Sequence, residues 1–140
     1  QSVVAVIDYR KAKGLFARGY EVCTHNGQVS HKCDPIELAQ KYQDLGIGEI
    51  VLNAIDRDGY MGGYDLELAH QAHTALKVPL TMLGGAGSLD DITALINTCG
   101  LIGAAAGSLF VFKGKYRAVL INYPSSDQKQ VLYRASLQNT

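Results

Sequence analysis

Asp56 and Asp58 flank Arg57 and precede Gly59, directly after the apolar run of residues 49–55. Two carboxylates and a glycine therefore stand where a buried strand meets solvent, which is where parallel α/β proteins gather their catalytic groups. Asp8 closes another apolar run, Val3, Val4, Ala5, Val6 and Ile7. A carboxylate in that place is costly unless it is solvated, paired or used. General acid–base chemistry is one reading of Asp8; accepting N–H groups that fix the following segment is the other. One of Asp56 and Asp58 can pair with Arg57 or cap the turn, and Asp58 with Gly59 can position a phosphate through the glycine amide.

Two loops of small residues follow further apolar runs. Gly84, Gly85, Ala86 and Gly87 come after residues 80–83, and Gly107 and Ser108 after residues 101–106. Small residues between a strand and a helix let backbone N–H groups and the helix dipole approach a phosphate. A tight turn alone also explains such glycines. Their succession matches the phosphate grip of the last two βα loops in many (β/α)8 barrels.

Cys23, His25, His31 and Cys33 raise a metal site. A two-residue turn at Asn26 and Gly27 pairs position 25 with 28, so Cys23 and His25 face away from His31 and Cys33, against four ligands on one ion. A longer loop would change that parity; the expectation is no metal ion and, separately, no cofactor. His70 and His73, three apart, read as an exposed helical face.

The elements that must position these residues alternate. Asp34 and Pro35 supply an N-cap and a first helical residue for a helix with Ile36, Leu38, Ala39, Tyr42 and Leu45 on its apolar face, ended by Gly46. A strand over residues 49–55 follows. Asp65 caps a helix through Leu66, Leu68, Ala69, Ala72 and Leu76, broken at Val78 and Pro79. Ser88 and Asp91 form a capping-box pattern before Ile92, Leu95 and Ile96, with Gly100 as the stop. This β-α-β-α rhythm implies a parallel sheet with right-handed crossovers. The insertion over residues 9–33 contains a strand at Tyr20 to Thr24 and reads as a β-ribbon hanging from the catalytic edge. Residues 109–112 and 116–121 are apolar and fit helix or strand equally. The expected organisation is one domain over residues 1–124 and a polar tail over 125–140, helical around residues 131–137.

The formal net charge is zero, without a Lys/Arg run or interleaved aromatic residues, so the footprint of a nucleic-acid binder is missing. No apolar segment approaches membrane-span length, and the opening residues read as a strand rather than a signal peptide. Three cysteines without a CxxC pair fit reduced thiols. The expected location is the cytoplasm.

Ala5-Val6-Ile7-Asp8, the stretch from Gly48 through Glu49, Asn53, Ala54 and Asp56 to Gly59, Gly63-Tyr64-Asp65 and Gly84-Gly85-Ala86-Gly87, in that order, closely resemble the second half of the cyclase subunit of imidazole glycerol phosphate synthase. The resemblance runs from Gln1 to about Phe112. It implies the (β/α)4 half of a TIM-type barrel. It further implies a lyase and cyclase of histidine biosynthesis, which uses ammonia from a glutaminase partner to split and cyclise a bis-phosphorylated ribosyl-formimino substrate. In that family two strand-end aspartates act as general base and acid, and Asp8 matches the second. Gly59, Gly85, Gly107 and Ser108 match positions of one phosphate site, with Asn53, Asp56 and Asp58 as support, and Glu49 matches a charged residue of the ammonia gate. Asn53-Ala54 stands where the family usually has Thr-Ser, Gly107 where an alanine often precedes Ser108. The ending Ala118 to Pro124 looks like the branch found with surface-polysaccharide genes, whose barrel is thought to help an amidotransferase place nitrogen on a sugar.

Four parallel strands cannot stay soluble as an open curl, because the concave face and the sheet edges would be unpaired. A homodimer, or another half-barrel, closes it most economically, and a two-fold axis would set the two copies of Asp8 across one barrel mouth. The alternatives are a catalytically silent phosphate-binding half-barrel or assembly module, and a cyclase-like partner in sugar amidation.

Overall fold

The spacing of β-branched and aliphatic residues in the apolar runs produces strands that alternate between two faces, and the computed structural model describes them over residues 3–14, 18–113, 116 and 118–137. β1 (Val4–Lys11), β4 (Glu49–Ala54), β5 (Leu80–Leu83) and β6 (Gly103–Ala104) pair in parallel, in that order. β2 (Tyr20–Thr24) and β3 (Val29–Ser30) add antiparallel on the outer side of β1, giving the sheet order β3-β2-β1-β4-β5-β6. β1 touches β2 only through Tyr9, Arg10 and Lys11, so over residues 4–8 its outer edge has no strand partner among the described residues.

Each crossover helix starts on a side-chain cap. Asp34 accepts from Ile36 N–H at 2.7 Å and Glu37 N–H at 3.2 Å to begin α1 (Pro35–Asp44). Asp65 caps α2 (Leu66–Ala75), and Ser88 with Asp91 forms the full capping box of α3 (Leu89–Cys99). Such caps contribute about 1 kcal/mol each by satisfying N–H groups that no helical carbonyl reaches.

The helices cover one face of the sheet. Ile7, Tyr9, Ile50, Leu52, Ala54, Leu80 and Met82 point there and are buried with Ala39, Leu68, Ala69, Ala72, Ile92 and Leu95. Burying each large aliphatic side chain stabilises by about 1.5–3 kcal/mol. On the other face the register aligns Val4, Val6 and Asp8 with Glu49, Val51 and Asn53, and those with Thr81 and Leu83. That face is uncovered: Val4 is 49% and Val6 60% exposed. A parallel sheet normally buries both faces. One covered convex face and one bare face carrying inward-type residues is the arrangement of half a TIM-type barrel.

Several boundaries differ from expectation. β1 does not stop at Asp8 but runs on to Lys11, because its last residues pair with β2 as the root of the ribbon. β4 ends at Ala54, one residue early, where Arg57 and Asp58 N–H turn back onto the Ala54 carbonyl. Of the apolar run at 101–106 only Gly103 and Ala104 join the sheet, and Gly103 lies against the Thr81 hydroxyl where any side chain would collide. The stretch of undecided type resolves into a short helix α4 (Ser108–Val111) and a hairpin of β7 (Phe112–Lys113) with β8 (Ala118–Val119). Phe110 and Tyr123 stack there with ring centroids 5.2 Å apart. The segment read as a tail holds α5 (Ser126–Leu137), which packs on α3, with Leu132 against the core. Residues 138–140 of that segment, like Gln1 and Ser2, lie outside the described residues.

Candidate functional site

Parallel register fixes the rim. Asp8 lies opposite Asn53 and Asn53 opposite Leu83, so the carboxylate shares one strand-end edge with the loop that opens at Gly84. Asn53 Nδ2 donates to Asp8 Oδ1 at 2.8 Å. Oδ1 is the acceptor in this pair, so the amide turns its nitrogen to Asp8. Asn53 Oδ1 is buried without a hydrogen-bond partner among the described residues.

Asp56 accepts the N–H of Lys11 at 3.0 Å and ties the ribbon root to the β4 loop. Asp58 is exposed. Arg57 pairs with neither flanking aspartate; its Nε lies 3.6 Å from Asp65, and it donates to the Gly63 carbonyl at 3.4 Å. Asp65, 4% exposed, also accepts from Tyr20 Oη at 3.0 Å and from Leu68 N–H at 3.3 Å. Burial first, and then Asp65, raise the Tyr20 phenol above its ordinary pKa. The sequence showed Asp65 only as a cap; its second duty is to lock ribbon, loop and helix together.

The glycines divide into two kinds. Gly85, at φ 102°, presses against the next loop: its carbonyl accepts Gly63 N–H at 2.8 Å, and a Cβ would run into the Gly63 oxygen. Gly84 and Gly87 lie equally close to Ala54 and Met61, so turn packing accounts for them. At Gly59 and Gly107 a Cβ would meet nothing within 4 Å. The amides divide too. Gly87 and Ser88 N–H both donate to Asp91 at 2.9 Å, so these two amides are already taken. The N-cap of α4, Gly107, carries no side-chain cap. Tyr64 Oη, donating to the Ala105 carbonyl at 2.8 Å, links the two loops from below, and burial pushes its pKa up to about 12.

Glu49 begins β4, at the opposite end from Asp8, and accepts from Thr81 Oγ1 at 2.7 Å. Nothing in the spacing singled out Thr81. Sequence separation conceals it, because the contact arises only once β4 and β5 align.

In the ribbon, Cys23 pairs with Ser30 and Thr24 with Val29, the register in which Cys23 faces away from His31 and Cys33. His25 and His31 instead meet the Thr24 hydroxyl at 3.1 and 2.8 Å. Among the described residues no three His, Cys, Asp or Glu side chains are grouped to hold a metal ion. His70 and His73 are exposed on α2. No described helix is long and apolar enough to cross a membrane.

The family described as "Histidine biosynthesis protein" matches residues 1–117. Three relatives carry the printed name "Putative imidazole glycerol phosphate synthase subunit", as HisF or a numbered hisF. One, from Leptospira interrogans, is 50% identical over 133 residues, 95% of this chain and 52% of the relative. One from Vibrio vulnificus is 52% identical over 130 residues, 93% and 49%. One from Pseudomonas aeruginosa is 45% identical over 131 residues, 94% and 51%. The chain thus spans about half the length of the curated relatives it matches.

Proposed function

Because the chain belongs to the histidine biosynthesis protein family, we propose that it is the Asp8-bearing half of a cyclase barrel of imidazole glycerol phosphate synthase type. The observation that carries the reading is the shared rim: Asp8 held by Asn53 at 2.8 Å, on the strand ends from which the Gly85 and Gly107 loops also leave. Asp8 donates a proton to the leaving group. Gly59, Gly85, Gly107 and Ser108 hold one phosphate of a bis-phosphorylated ribosyl substrate through backbone N–H groups and the Ser108 hydroxyl. Asp56 and Asp58 support the loop between them.

The bare face with Val4 and Val6 closes against a second half-barrel. In a homodimer the two-fold axis brings a second Asp8 to the mouth, which supplies the partner base and a second phosphate grip. Glu49, at the far end of the same face, receives ammonia from a glutaminase subunit, and Val51 and Val6 line the way to Asp8.

The departures at Asn53, Ala54 and residues 118–124 favour a second reading, in which the barrel hands ammonia to a sugar amidotransferase for surface polysaccharide.

Binding of an aminoimidazole carboxamide ribotide, read by calorimetry alongside sedimentation, tests the proposal. Micromolar binding by a species of twice the chain mass, or by a complex with a second half-barrel, supports it. A well-behaved monomer that binds neither ribotide nor inorganic phosphate overturns it.

A further inference from the structure

Asn53 occupies a position where stability alone asks for something else. Its neighbours along the bare face are Val51 on its own strand, Val6 one step down β1, and Leu83 opposite on β5. An aliphatic side chain packs there without leaving a polar atom behind. The amide leaves one: Asn53 Oδ1 is buried and unpartnered among the described residues, and an orphaned buried acceptor costs stability. What the amide contributes in return is the 2.8 Å bond from Nδ2 to Asp8 Oδ1.

We propose that Asn53 is a positioning residue for Asp8: its N–H clamps Oδ1, fixes the plane of the carboxyl group, and leaves Oδ2 as the one oxygen free to carry the transferred proton. The inference rests on the reading of Asp8 as general acid. Orientation matters because proton transfer needs the oxygen within hydrogen-bond reach of the leaving group, and a displacement of about 1 Å can cost about a hundredfold in rate. Without the clamp the carboxyl rotates about χ2, a broad torsion with no strong preference.

The experiment compares the assembled barrel of wild type, Asn53→Leu and Asn53→Thr by steady-state kinetics and thermal unfolding. Asn53→Leu removes donor and orphan together. The expected result is a kcat lower by about tenfold or more with KM within about twofold, and a thermal midpoint unchanged or higher. Asn53→Thr keeps an O–H donor on the same face and recovers most of the kcat. A fall in midpoint, including failure to fold, assigns Asn53 a structural role and overturns the inference. So does an unchanged kcat, a rise in KM alone, or a threonine variant as slow as the leucine one. A wild-type barrel that binds ribotide but turns nothing over removes the cyclase reading and the inference with it, an outcome separate from an active wild type with indifferent Asn53 variants.

Discussion

Thr81 Oγ1 donates to Glu49 Oε1 at 2.7 Å, joining β5 to β4 at the end of the bare face farthest from Asp8. The carboxylate that the family resemblance sets at the ammonia entrance is therefore anchored within this half-barrel. Hydrogen bonds to charged groups contribute about 1.5–3 kcal/mol when buried, and the half-buried setting of Glu49 places this one near the low end. Thr81→Val should lower stability by about 1.5 kcal/mol in urea unfolding. Thr81→Ser, which keeps the donor, should lose less than half of that.

Alanine at the glycines should separate packing from openness. Gly85→Ala forces a Cβ into the Gly63 carbonyl at a φ of 102° and should cost about 3 kcal/mol or more. Gly107 has a φ of −98° and open space around its Cα. Gly107→Ala should stay within about 0.5 kcal/mol of the native chain. The contrast is measured by denaturant midpoints at constant m-value.

Asp91 holds the Gly87 and Ser88 amides at 2.9 Å and completes the α3 capping box. Asp91→Ala should cost about 1–2 kcal/mol. Ser88→Ala should cost less, since it removes the bond from Asp91 N–H at 3.2 Å and the hydroxyl donation to Asp91 Oδ2 at 3.1 Å but leaves the Gly87 and Ser88 amides paired. Amide exchange at Gly87 and Ser88 should quicken in the Asp91 variant alone.

Burial raises the phenol pKa of Tyr64 to about 12, and those of Tyr9 and Tyr20 are raised as well, desolvation leading in each case. The unfolded chain releases these protons near the ordinary value of 10. Folding stability is therefore fully present below about pH 10 and is lost as pH rises through the folded values. Alkaline unfolding followed at 295 nm should show these tyrosines ionising together with loss of structure. Tyr64→Phe should move the transition to higher pH.

The capped helices and the strand order could be read from the chain because they rest on local chemistry: Asp34 before Pro35, Ser88 before Asp91, apolar runs between them. Asp8 and the glycine loops were legible as a shared rim for the same reason, since parallel strands deliver their ends to one edge. What the sequence concealed depends on register or on contact across loops. Arg57 has two aspartates as neighbours and pairs with a third, Asp65, because the turn after β4 carries it away from both. Asp91 was visible as a cap, yet that it consumes the amides a phosphate would use follows only from its side chain lying 2.9 Å from both. The close approach of Gly103 to the Thr81 hydroxyl in the two-residue β6 was equally hidden, because it exists only once β5 and β6 pair.

In the proposed function, Asp8 moves a proton inside a closed barrel. The most direct test of this step is ammonia-dependent turnover of the bis-phosphorylated ribosyl-formimino substrate by the assembled barrel, with wild type and Asp8→Asn compared at equal ribotide saturation. The account predicts release of the carboxamide ribotide by the wild type and a loss of about a hundredfold or more in Asp8→Asn with binding retained. Equal turnover by the two proteins would contradict it.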